Sequence, residues 1–102
     1  MTKYAIYTKW YWKDGIASPE DMQNGMKENL VGKTEAEDVI WWKMDDHHHQ
    51  SVIIFSSEDL AKAEFDKRQK MREKTTSEQN INMVEEVMGP ILSQLSLSLI
   101  HI

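Results

Sequence analysis

The segment from Tyr4 to Trp12 constrains the fold most, because it places large apolar side chains on both sides of one short segment. Aromatic and β-branched residues dominate it, which is typical of a β-strand. One face would carry Tyr4, Ile6, Thr8, Trp10 and Trp12, and the other would carry Ala5, Tyr7, Lys9 and Tyr11. A strand with large apolar groups on both faces belongs in the interior of a sheet that is covered on two sides.

Two later segments carry the signals of helix N-termini. Ser18-Pro19-Glu20-Asp21 supplies a capping serine, a proline at the first helical position and two acids in the first turn. An apolar stripe at spacings of four follows it: Met22, Met26 and Leu30. Ser56-Ser57-Glu58-Asp59 begins the second helix in the same way, and its composition predicts that it runs to about Thr75.

The remaining segments predict three more strands. Residues 39–44 and 50–55 flank the turn residues Asp45-Asp46, which predicts an antiparallel hairpin. The pattern over 81–95 fits either a helix or a strand, but Gly89-Pro90 would break a helix in its middle. We therefore favour a strand over about residues 81–88.

The resulting order is strand–helix–strand–strand–helix–strand. This order predicts an α+β, ferredoxin-like fold, in which a four-stranded antiparallel sheet of order 4-1-3-2 carries two helices on one face. We expect a single domain over residues 1–96. The tail, residues 97–102, resembles the in-frame translation of a transposon mosaic end, and we expect it to be a non-native cloning or assembly scar.

Composition excludes several classes of function. With 12 Lys and Arg against 17 Asp and Glu, the net charge of −5 argues against a nucleic-acid partner, which requires a basic surface. The absence of cysteine excludes disulfides, thiol catalysis and cysteine-ligated zinc, and it is compatible with the cytoplasm. No apolar run approaches the ~20 residues of a membrane helix, so no membrane partner is expected.

The chain resembles the dimeric α+β barrel superfamily, and within it the antibiotic-biosynthesis-monooxygenase-like proteins. The resemblance covers residues about 4–95 and rests on Trp12-Lys13-Asp14-Gly15, the hairpin 39–55, the Ser-Ser-Glu-Asp helix start and Val84-Glu85-Glu86-Val87-Met88-Gly89. It implies a barrel formed between two subunits and a small pocket between each sheet and its helices. Relatives include cofactor-free monooxygenases, haem-degrading enzymes and muconolactone isomerases, and no motif selects among them.

The edge strand of the predicted sheet independently favours a homodimer. It carries Val39, Ile40, Trp41, Trp42 and Met44, guarded by Lys43 alone. An exposed edge of this kind promotes aggregation, and soluble proteins avoid it. Pairing it with the fourth strand of a second copy would close the barrel and cover both faces.

The run His47-His48-His49 is the most conspicuous candidate for chemistry. In a strand His47 and His49 would share a face and could ligate a metal beside Asp45 or Asp46. The more ordinary interpretation is a wet hairpin bend, because the sequence places no third or fourth ligand. We therefore predict neither a metal site nor a cofactor. His48, His49 and Tyr7 remain the candidates for a catalytic role, as proton carriers or hydrogen-bonding groups.

A second candidate site is an apolar pocket. The residues expected to contribute to it are Tyr7, Trp10, Trp12, Trp42 and Met26, although core or interface packing would explain each of them equally well. The leading hypothesis is a small-molecule-binding protein for an aromatic or acyl-like ligand. The alternatives are a cofactor-independent enzyme of the monooxygenase type and a structural dimeric module without a site. The sequence does not decide whether the protein is an enzyme.

Overall fold

The computed structural model describes residues 2–95, and the predicted tail at 97–102 lies outside them. Its elements, in chain order, are β1 (Tyr4–Trp12), α1 (Pro19–Leu30), β2 (Asp38–Asp45), β3 (His48–Phe55), α2 (Glu58–Gln79) and β4 (Ile81–Pro90). The four strands form one antiparallel sheet of order β2-β3-β1-β4. The prediction of an α+β, ferredoxin-like fold is confirmed, and so is the strand after residue 80.

Both helices begin at the serines that the sequence indicates. Ser18 Oγ accepts from the backbone N–H of Asp21 at 3.2 Å, and Ser57 Oγ accepts from that of Leu60 at 3.3 Å. These bonds satisfy N–H groups that have no partner within the helix. α2 continues to Gln79, beyond the expected end near Thr75, and it ends at Asn80 in a left-handed conformation with φ of 55°.

The β2–β3 hairpin is tighter than its composition indicates. The turn consists of Asp46 and His47, so β3 begins at His48 and not at Gln50. The Asp45 carboxylate accepts from the backbone N–H of His47 at 2.8 Å and from the His48 ring at 2.9 Å. These bonds from a single side chain close the turn, and the hydrogen bond from His48 is the main reason that the pKa of Asp45 is lowered.

The two faces of the sheet have different environments. The covered face, defined by Tyr4, Ile6 and Phe55, packs against α2, and Phe55 is fully buried. Ala61 of α2 belongs to the same buried cluster. The alternating burial along β1 shows the origin of this difference, since Tyr4, Ile6 and Thr8 are buried while the residues between them are only half-buried.

The other side, which we call the open face, carries Tyr7, Gln50 and Trp42. The Trp42 indole N–H donates to Gln50 Oε1 at 2.7 Å, and the Gln50 amide donates to the Tyr7 hydroxyl at 2.7 Å. Several large apolar side chains here are substantially exposed: Ile40 at 50%, Trp42 at 39% and Val87 at 57%. Neither helix covers this face.

A buried carboxylate joins α2 to the connection between α1 and β2. Glu64 is only 7% exposed, and it accepts from the Thr34 hydroxyl at 2.9 Å and from the backbone N–H of Glu35. The connection is thereby held against α2. α1 itself contains no buried residue, and its stripe of Met22, Met26 and Leu30 is only half-buried. Within residues 2–95, neither helix is long and apolar enough to cross a membrane.

Candidate functional site

A cavity of about 720 Å³ lies between α1 and the β2 side of the sheet. Met22 and Met26 of α1 form one wall, and Val39 and Trp41 of β2 form the opposite wall. His49 of β3 contributes the buried polar group. The volume lies in the range of about 300–1,000 Å³ that is usual for small-molecule sites, and the mainly apolar lining is also typical of them.

A ring of tryptophans fixes His49 in place. Trp10 stacks on the imidazole with its centroid 6.2 Å away and an interplanar angle of 4°. Trp12 meets the ring edge-on at 5.7 Å, and Trp41 lies 5.8 Å away at a tilt of 53°. His49 is 7% exposed as a result. A side chain packed in this way cannot readily change rotamer, so its ring nitrogens have fixed directions.

The hydrogen bonding of His49 determines which tautomer the ring adopts. The Trp12 indole N–H donates to His49 Nδ1 at 2.7 Å. An indole nitrogen is a donor only, so Nδ1 must be the acceptor and the neutral ring carries its proton on Nε2. Burial lowers the pKa of His49 to about 4, so the ring is neutral near pH 7. The neutral imidazole therefore carries a hydrogen-bond donor at Nε2, its Nδ1 is already occupied by Trp12, and the residue borders the cavity.

A buried pair of hydroxyl groups, from Thr8 and Ser51, holds the Trp10 indole in position. The Trp10 indole N–H donates to Thr8 Oγ1 at 2.9 Å, and Thr8 shares a hydrogen bond with the Ser51 hydroxyl. Thr8 and Ser51 are each 1% exposed. This pair satisfies the indole that stacks on His49, and it thereby fixes the position of the stacking ring.

One end of the cavity carries charge. Lys43 Nζ lies 2.9 Å from the Asp46 carboxylate, and both side chains are mostly exposed and border the cavity. The hydrogen bond from Lys43 is the main reason that the pKa of Asp46 is lowered. Ser18 and Pro19 at the beginning of α1 border the same end. The polar groups that could orient a ligand are therefore concentrated here.

A second, smaller cavity of about 240 Å³ lies at the opposite end of α1. Leu30 and Ala36 line it, and so do Met26 and Val39, which also line the larger cavity. The two cavities therefore adjoin at Met26 and Val39. Together they follow the apolar stripe of α1 over its whole length, because Met22 borders the first, Leu30 the second and Met26 both.

The structure brings five of the sequence-predicted residues together. Met26, Trp42 and His49 border the larger cavity, and Trp10 and Trp12 contact His49. Trp42 borders the cavity from the edge strand, although its indole N–H is bonded on the open face.

Tyr7 and His48 are placed elsewhere. Tyr7 lies on the open face beside Trp42, with ring centroids 6.5 Å apart. His48 lies at the hairpin, where its Nδ1–H donates to Asp45 and its ring meets Tyr11 at 5.3 Å. The sheet itself separates both side chains from the buried surroundings of His49.

The histidine run does not act as a unit. His47 is exposed in the turn, and its Nδ1–H donates to the backbone oxygen of Trp12 at 2.9 Å, whereas His49 is buried on the covered face. Among residues 2–95, no group of three or more His, Asp or Glu residues is arranged to hold a metal ion. The interpretation as a solvent-exposed hairpin bend therefore holds for His47. It does not hold for His49, which is buried.

The cavity is also lined by residues outside the predicted pocket set: Met22, Val39, Trp41 and Lys43. Val39, Trp41 and Lys43 pair with Ile53, Ser51 and His49 of β3, so they share the covered face. The alternation along β2 is visible in the sequence, but both of its faces are apolar. The sequence does not show which face the helices cover, so it cannot show whether Trp41 or Trp42 lies on the side of the cavity.

Comparison with known proteins assigns the chain to no family. No protein-family model matches the chain, and no curated protein matches it either. The fold and the geometry around His49 therefore carry the functional argument.

Proposed function

We propose that this protein binds an apolar small molecule, aromatic or acyl-like, in the cavity between α1 and the sheet. The observation that carries the proposal is the position of His49 in the cavity of about 720 Å³, with its ring fixed by three tryptophans. The apolar walls would contribute affinity, and the Nε2–H group would orient an oxygen acceptor of the ligand.

A cavity-filling variant tests this proposal. Met22→Trp places an indole in the cavity, whereas Met44→Trp makes the same change on β2 at a residue that is 50% exposed and does not border the cavity. We expect an apolar dye, 1-anilinonaphthalene-8-sulfonate, to bind the wild type and Met44→Trp, and to bind Met22→Trp at least tenfold more weakly. Equal binding by all three proteins would locate the dye elsewhere and would contradict the proposal.

A cofactor-independent monooxygenase is the second candidate, because a buried imidazole borders a cavity of suitable size. Such an enzyme needs a base for its substrate, and here Nδ1 is occupied by Trp12 while Nε2 holds the proton. Tyr7 lies on the other face. These observations support binding over oxygenation, and oxygen uptake with a panel of quinols would show which activity is present.

We also propose a homodimer of the dimeric α+β barrel type, in which the open face and its edges β2 and β4 meet a second copy. The support is the exposed apolar surface of Ile40, Trp42 and Val87, which extends across the sheet from one edge strand to the other. A structural module without a ligand would use the same surface, and the dye experiment separates the two functions.

Sedimentation tests the dimer. We expect the wild type to sediment as a dimer at micromolar concentration and Trp42→Lys to be monomeric or insoluble. Lys70→Glu, on the exposed surface of α2, is the control and should leave the assembly unchanged. A monomeric wild type would contradict the dimer without affecting the proposed ligand.

A further inference from the structure

We propose that the ligand is an unbranched acyl chain that lies along α1, with its oxygen-bearing head at His49 and its methyl end beside Leu30. This inference rests on the proposed function and chooses between its two ligand classes. It follows from the shape of the site: the two cavities share the lining residues Met26 and Val39, so a chain that passed between these two side chains would occupy both. We call the two cavities together the groove.

The length and composition of the groove favour a chain over a compact ring. α1 has 12 residues, which at ~1.5 Å per residue span ~18 Å. Its stripe residues Met22, Met26 and Leu30 border the groove from end to end. Methionine side chains adapt to a flexible neighbour more readily than branched ones do.

The polarity of the groove sets the direction of the chain. His49, Lys43 and the beginning of α1 border the larger cavity only. At the opposite end the smaller cavity is lined mainly by Leu30, Val31, Ala36 and Val39. Its two polar side chains are Asp38, a carboxylate, and Thr34, whose hydroxyl donates to Glu64. A carbonyl or carboxylate oxygen would accept from His49 Nε2–H. A carboxylate would in addition lie near the Lys43 ammonium group, which it would share with Asp46. A chain in the opposite direction would place its oxygen, an acceptor, beside apolar groups and the Asp38 carboxylate, which is also an acceptor and would repel an acid head group.

The structure also indicates why α1 needs an occupant beneath it. The helix is amphipathic, but none of its residues is buried, although an apolar stripe on a helix normally packs against a core. In the groove, an acyl chain would contact the stripe along its whole length. The occupant would therefore supply the packing that the sheet does not.

Calorimetric titration with octanoate, decanoate, dodecanoate and tetradecanoate tests the proposal, and 1-naphthoate serves as the compact probe. We expect affinity to increase by about fourfold for each added methylene until the chain reaches the end of α1. Each methyl ester should show the same dependence on length. Lys43→Met should weaken the acids and leave the esters unchanged, which distinguishes a free acid from an ester as the head group.

Two variants locate the chain. Met26→Trp narrows the junction of the cavities, so it should weaken tetradecanoate at least tenfold and octanoate little, and Met44→Trp is again the matched control. His49→Phe should weaken all chain lengths by the same factor, because it removes the contact with the head and not with the chain.

The outcomes separate this inference from the proposed function. Affinity that does not depend on chain length, with 1-naphthoate bound and blocked by Met22→Trp, would overturn the acyl chain and leave a small-molecule site. If no probe binds, both proposals fail. If Met26→Trp changes the oligomeric state instead of the binding, the groove is covered by a second copy, and the acyl chain is again overturned.

Discussion

The indole N–H of Trp12 donates to Nδ1 of His49 across two neighbouring strands, over 2.7 Å. The bond joins the first strand of the fold to the only histidine buried among the described residues. Protonation of His49 at Nδ1 would bring two N–H groups into opposition. Burial lowers the pKa of His49, and the geometry of this contact disfavours the protonated ring in the same direction.

The stability of the protein should fall in mild acid because of His49. Its pKa is about 4 in the folded chain, against an ordinary value of 6.5, so between these values the unfolded chain binds more protons. The free energy of unfolding therefore rises with pH through this window, by about 3 kcal/mol in total. Urea denaturation at several pH values measures the effect.

His49→Gln provides the control, because its amide oxygen can still accept from Trp12 but the side chain does not titrate. The difference between the two stability curves isolates the histidine from the carboxylates. Parallel curves between pH 4 and 6.5 would contradict the assignment.

Replacing Trp12 with Phe should raise the pKa of His49 from its value of about 4, because Nδ1 then no longer faces an N–H donor. We expect a loss of roughly 1–3 kcal/mol in unfolding free energy from the unsatisfied ring nitrogen. NMR titration of the imidazole protons gives the pKa. Trp42→Phe, which removes an indole N–H on the open face, should leave it unchanged.

Glu64 should contribute more to stability than an exposed glutamate of the same helix. Glu64→Leu leaves the Thr34 hydroxyl and the Glu35 N–H without their acceptor, which we expect to cost about 1–3 kcal/mol. Glu58→Leu removes only an exposed pair with Lys62 at 3.5 Å, for which we expect less than about 1 kcal/mol. Equal denaturation midpoints of the two variants would show that Glu64 does not hold the connection.

Substitution by alanine should change the stability of the protein in opposite directions at Gly25 and at Gly32. Gly25 lies within α1 with no atom within 4 Å of an added Cβ, so Gly25→Ala should stabilise the protein by about 0.5–1 kcal/mol. Gly32 has φ of +73°, so Gly32→Ala should destabilise it by about 1–2 kcal/mol. Thermal unfolding of both variants tests this prediction. If the unfolding temperatures of the two variants shifted in the same direction, the conformational argument would be contradicted.

Much of the fold could be predicted because local rules and the global arrangement agree. Ser18 and Ser57 cap the helices that their sequence context indicates. The alternation of β1 identifies which of its residues share a face, and the structure buries the first three of them, Tyr4, Ile6 and Thr8, while Trp10 and Trp12 are half-buried. Patterns of this kind depend only on the helical and strand periods, which do not require knowledge of the partner element.

The site was less predictable because it depends on which face the helices cover. The sequence shows that Trp41 and Trp42 must point to opposite sides, but not which side holds the cavity. In β4 the register shifts opposite Lys9 and Trp10, so that Lys9 pairs with Glu85 but Trp10 pairs with Met83. Such a bulge moves later residues to the other face, and simple alternation along the strand cannot reveal it.

The attachment of α1 at its two ends also affects the rate at which this helix opens. Gly15 and Gly32, with φ of +91° and +73°, lie in the connections on either side of the helix, and none of its residues is buried between them. A segment held mainly at its ends opens at a lower free energy than the cooperative core. We therefore expect the amide hydrogens of α1 to exchange earlier than those of β1 and β3. A molecule beneath the helix could leave only when the helix lifts, so the opening rate of α1 would set an upper limit on the rate of its release.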